Sequence, residues 1–114
     1  MKYSKIKFLT FFAIICSIGL APINDASAAE NTVTATITVG TDPTGMEFDS
    51  ANERMYVANQ DDDTVSVIAT ATNTVTATIA VGGSPYGMAF DSANERMYVA
   101  NQDDDTVSVI ATAT

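Results

Sequence analysis

An all-β fold of two four-stranded antiparallel blades, a partial β-propeller, is predicted by three features of this 114-residue chain. Residues 31–72 and 73–114 are two gap-free copies of one 42-residue unit. The hydrophobic period inside each copy is two rather than 3.6. Turn clusters cut each copy into four short segments, the spacing of a propeller blade.

In the first copy, residues 32–37 alternate hydroxyl and apolar groups, as a half-exposed strand does. A loop runs from Val39 to Gly45, and residues 46–48 begin a second strand that ends at the turn cluster Asp49-Ser50-Ala51-Asn52-Glu53. Residues 54–59 form the third strand, Gln60-Asp61-Asp62-Asp63 a polar loop, and residues 64–69 the fourth strand. The Ala71-Thr72-Asn73 turn then leads into the strand 74–79 of the second copy. Thr, Val and Ile dominate these segments and no i, i+3, i+4 apolar stripe occurs, which excludes a helical reading.

The copies differ at five positions: Thr38/Ala80, Thr41/Gly83, Asp42/Ser84, Thr44/Tyr86 and Glu47/Ala89. Three of the five fall in the loop between the first and second strands. A loop that varies on a fixed scaffold is where binding differences sit, which makes Asp42, Thr44, Ser84 and Tyr86 candidate contact residues. Neutral divergence of a recent duplication accounts for the exchanges equally well. Tyr86 adds the one large side chain, a rigid apolar body with a polar tip.

Four motifs recur in both copies: Ile37-x-Val39-Gly40-x-x-Pro43-x-Gly45, Arg54-x-Tyr56-Val57-x-Asn59, Asp63-Thr64-Val65-Ser66-Val67-Ile68, and Thr70-Ala71-Thr72-Asn73-Thr74-Val75. Together they resemble the repeat of the YVTN-family β-propellers, over the whole of the repeat region. Two departures are plain. The name-giving motif carries alanine in third place, at Ala58 and Ala100, and the family's usual aspartate after Val-Ile is Ala69 and Ala111. The resemblance implies a secreted or surface-layer-like protein of a family with about seven blades and no shared catalytic activity.

The first 28 residues read as a signal peptide. Lys2, Lys5 and Lys7 precede an apolar run from Phe8 to Leu20, and Ala26-Ser27-Ala28 offers a cleavage site. The run is shorter than the ~20 residues of a spanning helix, so cleavage is expected over anchoring, with no membrane span afterwards. The repeat region, residues 29–114, then keeps two basic and thirteen acidic side chains, a net charge of −11. Such a surface repels nucleic acid and favours cations or basic partners. Cys16, the only cysteine, lies within the apolar run, so the exported part forms no disulfide. The expected location is extracellular or the cell envelope.

Two blades pose a packing problem. Tyr56 and Ala58 point to one side of the third strand and Met55 and Val57 to the other, so both faces need cover. Two blades cover one face of each, and repeat arrays normally need more units or caps. The last blade also lacks its fourth strand, which the 32–37 segment supplies only in a closed ring. Three arrangements remain: a piece of a longer propeller, head-to-tail assembly of several copies, or an open two-blade structure.

The Asp61-Asp62-Asp63 and Asp103-Asp104-Asp105 runs lie at the same blade end as Asp42 and Pro43. A rim of carboxylates suits a hard cation such as calcium. Against that, neighbouring side chains in an extended loop diverge, and the spacing is not that of a calcium loop. A solvated loop whose charge discourages strand association is the competing reading. Gly45 and Gly87 are expected to permit close backbone approach between blades. Histidine is absent, and the repeat region also lacks cysteine and lysine, so activated-nucleophile chemistry has none of its usual parts. The sequence therefore predicts a non-catalytic binding or envelope module. The alternative is a fragment of a larger propeller enzyme whose active site lies elsewhere.

Overall fold

The computed structural model describes residues 31–113, and the fold below lies in the unit that begins at Ala35. The expected signal peptide, residues 1–28, lies outside the described residues. Seven strands follow one another: β1 (Pro43–Asp49), β2 (Arg54–Asn59), β3 (Thr64–Ala69), β4 (Thr74–Ala80), β5 (Pro85–Asp91), β6 (Arg96–Asn101) and β7 (Thr106–Ala111). A short 3-10 turn, Gln60–Asp62, stands between β2 and β3. The strands build one antiparallel sheet in the order β1-β2-β3-β4 and another in the order β5-β6-β7. The chain is all-β, with two sheets that are partial propeller blades.

The first blade crosses the repeat boundary. It takes β1, β2 and β3 from the first copy and β4 from the second, with Val65 opposite Ile79 and Ser66 opposite Thr78. The second blade has three strands and lacks the fourth, as the sequence leads one to expect. Residues 32–37, expected as a strand, are in none. A strand exists only with a laddered neighbour, and the matching segment of the second copy finds one in β3. Bulges at Pro43/Met46 and Pro85/Met88 mark where each innermost strand starts to pair.

The turns are set by side chains and by unusual backbone. Asp49, fully buried, accepts hydrogen bonds from the amides of Ala51 (3.0 Å) and Asn52 (3.1 Å) and from the Asn52 side chain (3.0 Å). This Asx turn explains why aspartate opens the cluster. Four non-glycine residues per copy adopt left-handed backbone, at Asn31, Asp42, Glu53 and Asp63 and again at Asn73, Ser84, Glu95 and Asp105. Asn and Asp tolerate this conformation; glutamate does so at a cost.

Period two divides the β2 and β3 side chains between two faces. Tyr56, Val65 and Val67 face the second blade and bury themselves with Met97 and Val99. Ile79, Val81, Met88, Phe90 and Ile110 flank this core. On the other side of the first blade, Val57 and Ile68 are buried while Met46 and Phe48 are exposed. The two innermost strands, β1 and β5, meet backbone to backbone at Gly45. A Cβ there would fall on the carbonyl oxygen of Tyr86. Three polar clasps add to the contact: Asn52 Nδ2 to the Thr112 carbonyl (3.0 Å), Thr44 Oγ1 to the Pro85 carbonyl (3.2 Å), and the Ser84 amide to Asp63 Oδ1 (2.9 Å).

Two substitutions test this geometry by urea unfolding. Gly45→Ala is expected to destabilise by about 2 kcal/mol, because the clash is with backbone that can move only by parting the blades. Glu53→Gly is expected to stabilise by about 1 kcal/mol through relief of its left-handed backbone. A destabilised Glu53→Gly chain would mean that this turn holds another conformation.

Candidate functional site

The two loops at the shared end of each blade are zipped to one another. In the first blade the amides of Gln60 and Asp61 donate to the carbonyls of Asp42 (2.9 Å) and Thr41 (3.3 Å). In the second, Gln102 and Asp103 do the same to Ser84 (3.0 Å) and Gly83 (3.2 Å). Opposite strand directions place these loops together, as the order of elements requires.

The aspartate runs work inside this zip. The Thr41 amide donates to the Asp62 carboxylate (2.7 Å) and the Gly83 amide to Asp104 (2.8 Å). Ser84 Oγ donates to Asp103 (2.7 Å), while Asp63 reaches the neighbouring blade through the Ser84 amide (2.9 Å). Charge-assisted bonds of this kind are the stronger ones. All six aspartates are exposed, and four of them, Asp62, Asp63, Asp103 and Asp104, are tied to loop amides and a hydroxyl. No group of three or more metal-ligating side chains is gathered among the described residues. Of the variable-loop candidates, Asp42 and Ser84 supply left-handed backbone, Thr44 bonds the next blade, and Tyr86 stands exposed.

Beneath the zip, Asn59 is fully buried and organises the blade end. Its Oδ1 accepts from the Gly40 amide (3.1 Å), and its Nδ2 donates to Thr64 Oγ1 (3.0 Å) and Ser66 Oγ (2.9 Å). A Cβ on Gly40 would lie 2.6 Å from the Asn59 side chain, so glycine is required for this approach. Beside it opens a cavity of about 490 Å³ lined by Thr38, Gly40, Asp62, Thr64, Ser66 and Thr78, among others. These hydroxyls were not singled out from the sequence. Their signal was the Thr/Ser alternation, which reads as strand pattern before it reads as a cavity wall.

A second groove, about 360 Å³, lies on the open face of the second blade between Gly87, Met88, Ala89, Tyr98, Ala100 and Val107. Its residues match those that the first blade buries. Tyr56 is 2% exposed and Tyr98 39%; Val65 is 0% and Val107 58%; Val67 is 3% and Val109 50%. Gly45 touches the neighbouring blade, whereas Gly87 meets nothing within 4 Å.

Two ionisations are displaced. Burial pushes the Tyr56 phenol above its usual value, partly offset by a hydrogen bond from Arg54. The Asn94 side chain, donating at 2.8 Å, holds the partly exposed Asp91 carboxyl below its usual value, and the amides of Asn94 and Ala93 assist.

No protein-family model matches the chain, and no curated protein matches it. Among solved structures it is similar to the Kuenenia stuttgartiensis hydrazine synthase, with 26% identity and a TM-score of 0.58. That match covers 71% of this chain and 24% of the synthase chain, so the chain spans about a quarter of that neighbour's length. A functionally unknown protein from Desulfotomaculum acetoxidans is also similar, with 20% identity, a TM-score of 0.49, and coverage of 62% of this chain and 26% of that one. The synthase likeness and the two sheets are compatible with a propeller-like fold. No helix among the described residues is long and apolar enough to cross a membrane.

The displaced groups give two pH predictions. Stability contributed by Asp91 is present above the ordinary carboxylate value of 3.8 and is lost as pH falls through its lowered one. Asn94→Ala should raise the Asp91 midpoint in an NMR titration; an unmoved midpoint would refute the Asn94 contact. Stability contributed by Tyr56 is full below the ordinary value of 10.0 and lost as pH rises through its raised one. Ultraviolet titration should find a tyrosine that ionises late and disappears in Tyr56→Phe.

Proposed function

We propose that this chain is an exported, non-catalytic binding module of the cell envelope or extracellular space, built from YVTN-like propeller blades. The observation that carries the reading is the open apolar face of the second blade. Tyr98 and Val107 line a groove there and Val109, paired with Tyr98, is exposed beside it, although the same residue types are core in the first blade. Exposed apolar patches of this kind mark interaction sites. The aspartates, the most obvious candidates for chemistry, serve the loops: four of the six hold backbone amides or a hydroxyl. Export rests on the apolar run Phe8 to Leu20 and the Ala26-Ser27-Ala28 signal. The net charge of −11 after cleavage favours cationic or protein partners over nucleic acid.

A second reading makes the blades part of a larger enzyme. It is favoured by the likeness to a synthase chain of which this chain spans only 24%. Further blades encoded beyond Thr114 would support it.

Fractionation of cells that express the tagged full chain tests the first reading. A product that begins at Ala29, recovered from the envelope or medium, is expected; an uncut chain in the cytoplasm would overturn it.

A further inference from the structure

We propose that the open face of the second blade is covered by the first blade of another copy of the same chain, joined head to tail. This rests on the reading above that the chain works through that face. The contact between the two blades of one chain shows what the face accepts. Tyr56, Val65 and Val67 bury against Met97 and Val99, with Met88, Phe90 and Ile110 packed around them. The second blade presents the same three residue types at Tyr98, Val107 and Val109. The first blade of another copy carries the matching set at Met55, Val57, Met46, Phe48 and Ile68. Of these, Val57 and Ile68 are already buried within the chain, so the docking contact is made through Met46 and Phe48, which are exposed whereas their counterparts Met88 and Phe90 are partly covered.

Three further observations point the same way. Glycine is required at position 45 because the backbone of the next blade arrives there, and the identical glycine at 87 has no neighbour within 4 Å. An arriving first blade supplies one. The exchange Glu47/Ala89 removes a carboxylate from the open face, which leaves it less polar than the face already buried. Finally, β7 is an edge strand with the same sequence as β3, and β3 pairs with residues 74–80. Residues 33–37 repeat residues 75–79 as Val-Thr-Ala-Thr-Ile and stand outside any strand. In a head-to-tail contact the incoming copy brings this segment to β7 as its missing fourth strand, a case of strand addition.

The first and second blades of one chain cannot meet this need for each other. Residues 38–40 line the cavity against Thr64 and Ser66, on the side of the first blade that faces away from the second. The contact is heterologous, so it closes into a ring of an even number of blades or continues as a filament.

Gly87 gives the decisive variant, with Gly45 as its geometric counterpart. In the separate chain a Cβ at Gly87 meets open space, so Gly87→Ala keeps the fold; in the docked copy it meets backbone, as a Cβ at Gly45 does. The full chain, expressed and purified after export, is measured by light scattering and sedimentation. Wild type is expected at a whole-number multiple of the single-chain mass. Gly87→Ala and Tyr98→Asp are expected at one chain, with unchanged β circular dichroism. An exported wild type that is monomeric at every concentration overturns the head-to-tail contact alone. So does a multimer that both variants leave intact. A multimer that is never exported overturns the export reading alone.

Discussion

The packing of Tyr56, Val65 and Val67 against Met97 and Val99 is the contact on which the rest of the molecule depends. A chain this short buries little apolar surface per residue. Among the described residues the two sheets pack on one another, and the apolar face of a sheet must be buried against another element. Each blade serves as the other's second layer. The glycine at 45 lets the innermost strands come close enough for this, and the Asn52, Thr44 and Asp63 clasps hold the edges where apolar contact ends.

From that contact the acidic rim takes its meaning. Thirteen carboxylates against two guanidiniums in residues 29–114 repel one another when the chain is compact. The structure lessens the cost by directing Asp62, Asp104 and Asp63 at backbone amides, which satisfies donors that the loops would otherwise leave to solvent. The aspartates thus act first as loop clamps, and their position at the blade end follows from the order of the strands. The apolar face of the second blade stands in contrast, since no such internal duty explains its exposure.

Much of this was legible in the residues. The period of two, with Tyr56 and Ala58 on one face and Met55 and Val57 on the other, gave the strands and the sides to which they point. Gly45 was readable as a place of close approach. The fate of residues 32–37 was not, because their alternation matches β4 and only a neighbouring strand decides which of the two segments forms a ladder. Left-handed backbone at Glu53 and Glu95 also left no trace, since glutamate has no preference for it and the turn is imposed by Asp49 and Asp91 upstream. The hydroxyl-lined cavity was hidden by the same Thr/Ser alternation that identified the strands. The use of aspartate as a clamp was equally hidden, because a run of like charges says nothing about which amides it will meet.

The account stands on the two blades forming one core, and a double-mutant cycle between Tyr56→Ala and Met97→Ala measures that most directly. The two residues lie in different sheets and 41 positions apart in the chain, yet in one buried cluster. The account predicts a coupling energy of about 1 kcal/mol or more in urea unfolding. Strict additivity of the two losses would contradict it, because the sheets would then be folding without each other.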